Sequence, residues 1–201
     1  MEIKYDGMRM QVHRSGETIK IFTRRMENVT KQFPEVIDVV RKNVKGRNFI
    51  IDCEAVGYSP NKKKYLPFQN ISQRIKRKYD INEMAKKFPV ELNVFDVIYY
   101  DDRSLVDDNF NERRELLESI IKEEKWKIVL SRILITKNKK DAKKFFEESL
   151  RAGHEGLVFK ALDAKYKPGR YVGYMAKLKS VMENLDLVIV KAEWGEGKRA
   201  N

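Results

Sequence analysis

The 201-residue chain has few of the residues that crosslink or anchor a protein. It contains one cysteine, Cys53, which excludes an internal disulfide and sits in an apolar run where we expect it to be a buried small hydrophobe. No run of about 18 apolar residues is present, which excludes a membrane-spanning helix. The N-terminus lacks the charged-then-apolar pattern of a secretion signal, and we therefore expect an intracellular, cytoplasmic protein. There is also no internal repeat, low-complexity tract or flexible linker.

Positive charge, in contrast, is abundant. Charged residues make up 36% of the chain, and the net charge is +12. Such an excess of Lys and Arg favours a polyanionic partner, of which nucleic acid is the commonest inside a cell. The alternative is a solvated Lys/Glu-rich surface of the kind found in thermophilic proteins. Charge alone does not decide between the two.

The hydropathy pattern predicts an α+β fold, with mixed, largely antiparallel sheets flanked by helices. Two alternating runs on either side of Ser15-Gly16 predict a β-hairpin, and the runs FIIDCEAVGY, LNVFDVIYYDD, IVLSRILI and EGLVFKAL predict further strands. Apolar residues at helical spacing predict helices over about 29–44, within 70–87, in NERRELLESIIKEE with Asn111 as its cap, and in DAKKFFEESLRAG. Strict alternation would place Phe95 on the strand face opposite Asp96.

One lysine stands out because of its position. Lys4 lies in EIKYDGMR, at the start of the first alternating strand. A lysine amine is a nucleophile only when neutral, and at pH 7 only about one free lysine in 2,500 is neutral. Nearby cations or burial raise that fraction. Lys177 and Lys179 share one face of an extended segment, and Arg9 follows Lys4 closely. Their convergence would also create a site for a phosphate chain.

Carboxylates are placed in a similar way. Asp52 and Glu54 share one face of the apolar strand FIIDCEAV, and Glu155 opens the strand EGLVFK. A carboxylate within an apolar strand is costly to bury unless it meets a cation, a metal or a ligand hydroxyl. The alternatives are a wet strand face for the pair and a structural ion pair for Glu155.

Taken in order, these segments resemble the motif series of the covalent nucleotidyltransferases: KYDGMR, DCEA, VFDVIYYD, EGLVFK and AKLK. That superfamily comprises the ATP-dependent DNA ligases, the RNA ligases and the mRNA capping enzymes. The intervening stretches TRRMENVTKQFPEV, FQNISQRIKRKYDI and MENLDLVIVKAEWGEGKRA are most similar to archaeal DNA ligases, a type close to the eukaryotic replicative ligase. The resemblance covers nearly the whole chain and implies the nucleotidyltransferase fold.

The resemblance implies a nucleotide chemistry centred on Lys4. Lys4 would attack the α-phosphate of ATP, release pyrophosphate and carry AMP as a lysyl-AMP phosphoramide. AMP would then pass to the 5′-phosphate of a DNA nick, and the 3′-hydroxyl would displace it to seal the strand. These steps belong to DNA replication, repair and recombination.

The resemblance also implies roles for the other motif residues. Glu2 would recognise adenine and Phe95 would stack on it. Glu54 would hold the ribose or a metal, and Glu155 would help to place Mg²⁺ or Mn²⁺. The cations would contact sugar and phosphate groups: Arg9, Arg24, Arg170, Lys177 and Lys179.

Two positions depart from the family pattern. Met175 replaces an aromatic residue before the K-x-K pair, and Tyr171 replaces a second arginine after PGR, which leaves Arg170 as the basic candidate there. We expect altered packing and unchanged chemistry, because neither departure removes a cation from the pair.

The expected domain organisation is a nucleotidyltransferase domain over 1–184, followed at 185–201 by the start of an OB-fold domain, with an N-terminal DNA-binding domain absent. The expected partners are ATP and nicked double-stranded DNA. In the full-length protein the two flanking domains and a sliding clamp would be added, and we expect a monomer and no membrane contact. The alternatives are an RNA ligase or capping guanylyltransferase that uses the same lysine, and a basic nucleic-acid-binding module without catalysis.

Overall fold

A computed structural model of the chain describes residues 1–169, 173–180, 188, 190 and 191, and this part contains two β-sheets and five α-helices. The strands are β1 Glu2–Lys4, β2 Met8–Ser15, β3 Thr18–Thr23, β4 Asn48–Ser59, β5 Lys64–Tyr65, β6 Val90–Tyr100, β7 Arg103–Ser104, β8 Ile128–Leu130, β9 Gly156–Lys160 and β10 Met175–Lys179. The helices are α1 Pro34–Asn43, α2 Phe68–Ile75, α3 Ile81–Lys87, α4 Phe110–Ile120 and α5 Lys139–Arg151, with a 3-10 turn at Thr30–Gln32.

The larger sheet has the strand order β3-β2-β4-β6-β7, with β5 paired to β4 and β8 running parallel to β6. Its alternating sequence buries one face completely, as Met10, Ile51, Cys53 and Val94 are all inaccessible to solvent. Helix α1 covers this face through Val36 and Val40. The opposite face carries the polar residues of the same strands, because successive side chains of a strand alternate.

The smaller sheet has the order β1-β9-β10, and all its pairs are antiparallel. Its apolar face packs Ile3 and Leu157 against Phe145 of α5. The remaining face carries charged residues from all three strands. The two sheets therefore each present one polar face.

The pairing of β4 with β6 contains a β-bulge that matters for the site. Asp52 pairs with Asp96, but the next residue, Cys53, pairs with Val94, so that Phe95 is an extra residue on β6. A bulge breaks the alternation of the strand and turns a side chain to a new direction. Phe95 and Asp96 consequently line the same cavity. The prediction that they lie on opposite faces is wrong, since alternation alone cannot reveal a bulge.

The predicted α+β architecture and the N-terminal hairpin are confirmed. The predicted helix over 29–44 begins only at Pro34, which occupies the first helical turn, where a missing N–H costs nothing. The cap of α4 is Asn109, with Glu112 Oε2 accepting from the Asn109 backbone N–H at 2.9 Å. Asn111 donates instead to Glu115 within the helix, so the prediction of Asn111 as the cap is wrong.

The strand predicted from IVLSRILI is shorter than expected and ends at Leu130. No helix in the described ranges has both the length and the apolar character needed to cross a bilayer. The predicted OB-fold start at 185–201 lies outside the described residues, apart from residues 188, 190 and 191.

Candidate active site

The polar faces of the two sheets enclose a cavity of about 1150 Å³. Register places Glu2, Val158 and Lys177 side by side across the smaller sheet, and Lys4 and Lys179 both pair with Gly156. Residues directly opposite one another in neighbouring strands point to the same face, so these charged side chains share one side of the sheet. The larger sheet contributes Arg9, Asp52, Glu54, Phe95 and Asp96 to the lining.

Lys4 meets Glu155 at one edge of this cavity. The Lys4 ammonium contacts Glu155 Oε2, and Lys179 Nζ lies 3.1 Å from the same oxygen. The Lys4 carbonyl also accepts the Glu155 backbone N–H at 3.0 Å, which fixes the two chain segments together. Lys4 and Lys179 are therefore both adjacent to one carboxylate, and the predicted clustering of cations around Lys4 includes Lys179.

Gly156 makes this arrangement possible. A Cβ at this position would lie 2.1 Å from the carbonyl oxygen of Leu178 on β10, and the backbone φ is +138°. Only glycine adopts this region without strain and allows the neighbouring strand to come so close. The glycine after Glu155 thus brings Lys179 within reach of Glu155.

The two acidic candidates are in different electrostatic states. Burial acts to raise the pKa of Glu155, but hydrogen bonds from Lys4 and Lys179 outweigh it and hold the pKa below its usual value. Burial also raises the pKa of Glu54, to about 7, and the charges of Lys4 and Arg9 only partly oppose this. Glu155 is therefore a paired carboxylate, whereas Glu54 has no hydrogen-bonded cation in the part of the chain that the structure describes.

Arg9 is held by Asp52 and by a tyrosine. Its Nη2 lies 2.7 Å from Asp52 Oδ2 and its Nε 3.2 Å from Asp52 Oδ1, so that the pair is bidentate. The Tyr166 hydroxyl accepts from Arg9 Nη2 at 2.7 Å. Asp52 is fully buried and depends on this cation, because an unpaired buried carboxylate is very costly. Asp52 thus orients Arg9 within the lining of the cavity.

The aromatic part of the cavity surrounds a lysine that the sequence patterns did not distinguish. Lys160 contacts the Glu2 carboxylate, and its Nζ lies 4.9 Å from the centre of the Phe95 ring and 4.7 Å from that of Phe110. Glu2 and Lys160 are both largely buried. Together they present an acceptor and a donor beside the Phe95 ring, which is the arrangement that selects a flat ring with polar edges.

The structure brings most of the predicted site residues into one lining. Arg24 and Lys177 line the cavity, Glu155 and Lys179 lie next to it beside Lys4, and Arg170 lies outside the described residues. Tyr166, Arg113 and Lys160 also contribute and were not predicted as site residues, although Lys160 ends the segment EGLVFK. Lys160 lies two residues after Val158, on the charged face of β9, and this spacing could have predicted it as a site residue. Tyr166 and Arg113 gave none, because only tertiary contacts place them here.

The donor set fits Mg²⁺ or Mn²⁺ bound jointly with a substrate. Among the described residues no group of three or more His, Cys, Asp or Glu side chains could hold a metal ion. Magnesium, however, typically binds one or two carboxylates together with substrate phosphates and water. Glu54, a partly buried carboxylate, and Glu155 supply such oxygens.

Comparison with known proteins accounts for this geometry. The family model of the ATP-dependent DNA ligase domain matches residues 1–179. The chain belongs to the ATP-dependent DNA ligase domain family. The whole chain is 53% identical to a DNA ligase of Nanoarchaeum equitans, and 46% identical to one of Thermococcus onnurineus. In both cases it spans 35% of the relative's length.

Solved structures of other ligases share the fold. The ligase domain of M. tuberculosis LigD aligns with 89% of this chain, over 52% of its own length, at 25% identity and a TM-score of 0.65. A Chlorella virus DNA ligase-adenylate aligns with 89% of this chain, over 61% of its own, at 17% identity and a TM-score of 0.61. The nucleotidyltransferase fold expected for this ligase family is thus confirmed.

Proposed function

We propose that this ligase-family chain transfers AMP from ATP to the 5′-phosphate of a DNA nick through a covalent lysyl-AMP on Lys4. The observation that carries the proposal is the contact of Lys4 with Glu155, which Lys179 also contacts, at the edge of a cavity lined by cations. Neutral Lys4 Nζ forms a bond to the α-phosphorus, the bond to the pyrophosphate oxygen breaks, and the amine loses a proton to solvent.

The proposed catalysis is electrostatic. In phosphoryl transfers the protein chiefly positions the reactants and stabilises charge on the phosphoryl oxygens. Lys177 and Lys179 would contact the α-phosphate, and Arg9 and Arg24 the sugar and phosphate groups; Arg170 stays a candidate for the same role. Glu54 and Glu155 would hold Mg²⁺ or Mn²⁺, which supplies Lewis-acid stabilisation to the phosphates when bound.

Nucleotide recognition would use the aromatic end of the cavity. Phe95 would stack on the adenine ring, and Glu2, already beside Lys160, would accept a hydrogen bond from the exocyclic amine. Glu54 would alternatively accept a hydrogen bond from a ribose hydroxyl, a role that suits a partly buried carboxyl to which no cation is hydrogen-bonded among the described residues.

A wider proposal is supported by the names of the relatives, which are DNA ligases. We place the reaction in DNA replication, repair and recombination, in the cytoplasm and on nicked double-stranded DNA. The chain is about a third of its relatives' length. We propose that DNA-binding and OB-fold domains complete the whole protein, that it acts as a monomer, and that a sliding clamp is a further partner.

Covalent labelling tests the central step. Incubation with α-labelled ATP and Mg²⁺ should give acid-labile label on Lys4, and Lys4→Ala should abolish it. Lys20, an exposed lysine of β3, offers a matched control, since Lys20→Ala should keep the label. Label that persists in Lys4→Ala would sink the proposal, and label from GTP in preference to ATP would point to a capping guanylyltransferase.

A further inference from the structure

Two buried aspartates form a cross-strand pair at the centre of the larger sheet. Asp52 on β4 pairs with Asp96 on β6, and they are 0% and 6% exposed. Each aspartate accepts two hydrogen bonds from one arginine. Arg9 donates to Asp52, and Arg113 donates to Asp96 at 2.7 and 3.1 Å. The bidentate geometry fixes the plane of each guanidinium. Two arginines of fixed orientation therefore contact neighbouring strands.

Both arginines contact the segment that runs between β9 and β10. We call residues 161–169 the strap. Helix α4 holds the strap through the Asn111 N–H, which donates to the Leu162 carbonyl at 2.9 Å, and through Arg113 Nη1, which donates to the Ala164 carbonyl at 3.2 Å. The Tyr166 N–H donates to the Val106 carbonyl at 2.9 Å. Ala164, Tyr166 and Gly169 of the strap line the cavity.

The Tyr166 hydroxyl links the strap to the opposite sheet. It donates to Asp52 Oδ2 at 2.8 Å and accepts from Arg9 Nη2 at 2.7 Å and Gln11 Nε2 at 3.3 Å. A hydroxyl has one hydrogen to donate and two lone pairs, so these three bonds use its full capacity. Burial, together with the nearby charge of Asp52, raises the pKa of Tyr166. The hydroxyl therefore stays protonated and keeps its donor role.

Arg9 retains one nitrogen for a ligand. Nε and Nη2 are occupied by Asp52 and Tyr166, whereas Nη1 makes no hydrogen bond to any residue that the structure describes. The side chain is 33% exposed and lines the cavity. Because buried Asp52 and half-buried Tyr166 fix two of the three guanidinium nitrogens, the direction of Nη1 is set before a ligand arrives.

We propose that Tyr166 is a positioning residue, whose hydroxyl fixes the strap to the Arg9–Asp52 pair and so directs Arg9 Nη1 at the bound nucleotide. This inference rests on the proposed function and adds to it a residue that acts through Arg9. In this proposal the strap, which follows β9 of the smaller sheet, completes the nucleotide site.

ATP binding measured without chemistry tests the inference. In a Lys4→Ala background, which cannot be adenylated, equilibrium dialysis with ATP and Mg²⁺ gives the Kd directly. Tyr166→Phe removes only the hydroxyl, and with it the hydrogen bonds that connect the strap to Asp52 and Arg9. We expect the Kd to rise roughly tenfold, which corresponds to about 1.4 kcal/mol. Tyr99→Phe is the matched control, because it removes a tyrosine-aspartate hydrogen bond of 3.2 Å at the exposed end of β6.

A double-mutant cycle separates positioning from mere stabilisation. If Tyr166 acts through Arg9, Tyr166→Phe should have no further effect on Kd in an Arg9→Gln background. In self-adenylation Tyr166→Phe should raise the KM for ATP while changing the rate at saturating ATP less than about twofold.

Three outcomes have distinct meanings. A normal Kd in Tyr166→Phe, even with a lowered melting temperature, overturns the inference and leaves Tyr166 a structural residue. Additive effects of Tyr166→Phe and Arg9→Gln overturn it as well. If the Lys4→Ala protein does not bind ATP and the protein with Lys4 takes up no label, the proposed function itself is contradicted.

Discussion

At the scale of single residues, the chemistry of the site depends on which charges the fold leaves uncompensated. Glu155 is paired twice, Asp52 and Asp96 are each held by an arginine, and Glu2 contacts Lys160. Glu54 differs from all of these, because burial raises its pKa to about 7. A carboxyl in this state makes the folded protein less stable whenever it is ionised. Ligand binding at Glu54 would relieve that cost.

This state of Glu54 predicts a pH-dependent stability. The carboxyl titrates near its ordinary pKa of 4.5 in the unfolded chain and near 7 in the folded one, so stability falls as pH rises between these values. Glu54→Gln removes the titration. Relative to wild type, the free energy of unfolding of Glu54→Gln should therefore increase by about 1 to 3 kcal/mol between pH 4.5 and pH 8. Urea unfolding at both pH values measures the difference.

Glu17→Gln, at an exposed turn residue, is the matched control for the removal of one negative charge. A Glu54→Gln effect that is the same at both pH values would contradict the assignment of Glu54. The variant should also bind ATP and Mg²⁺ more weakly, because its amide lacks the negative charge. A variant that is more stable but binds its ligand more weakly is expected when the residue replaced is a functional carboxylate.

At the scale of elements, the close approach of β9 and β10 depends on Gly156. In Gly156→Ala the new Cβ would collide with the Leu178 carbonyl and the residue would retain a φ that alanine rarely adopts. We expect a loss of roughly 2 to 4 kcal/mol in stability and a large drop in Lys4 labelling. Thermal unfolding and α-labelled ATP measure the two effects.

Gly153→Ala separates crowding from backbone strain. Gly153 also has a positive φ, +82°, but nothing lies within 4 Å of a Cβ built there. This variant should lose only the roughly 1 to 2 kcal/mol of left-handed backbone strain and should keep its labelling. Equal labelling by both variants would show that the Lys179 contact does not depend on the glycine.

The elements also show how far the sequence could predict the site. Alternation placed Asp52 with Glu54 and Lys177 with Lys179, because period two holds along regular strands. The same rule failed at Phe95, where a bulge adds a residue to β6. Tyr166 could not be foreseen, because its role depends on hydrogen bonds to residues 114 to 157 positions away. Local periodicity predicts faces, whereas contacts between sheets need the assembled fold.

At the scale of the whole molecule, the charge of +12 predicts salt-dependent DNA binding, and the surface that binds the DNA can be tested. Lys76, Arg77 and Lys78 are exposed directly after Ile75, which lines the cavity. Lys137, Lys139 and Lys140 are equally exposed, but they lie at the start of α5, which packs on the apolar face of the smaller sheet, away from the cavity. The two triplets carry the same charge on different sides.

Changing either triplet to glutamine lowers the net charge by three, so a difference between the variants reports position and not total charge. Each DNA phosphate contact contributes about 0.9 to the slope of log K against log salt, so loss of the 76–78 triplet should reduce that slope by about 2 to 3. The 137/139/140 variant should keep most of the slope. Titration of labelled nicked duplex at several salt concentrations measures both. Equal slopes in the two variants would mean that charge acts without regard to the cavity, as a solvated basic surface would. A selective loss at 76–78 would place the duplex beside the cavity that contains Lys4.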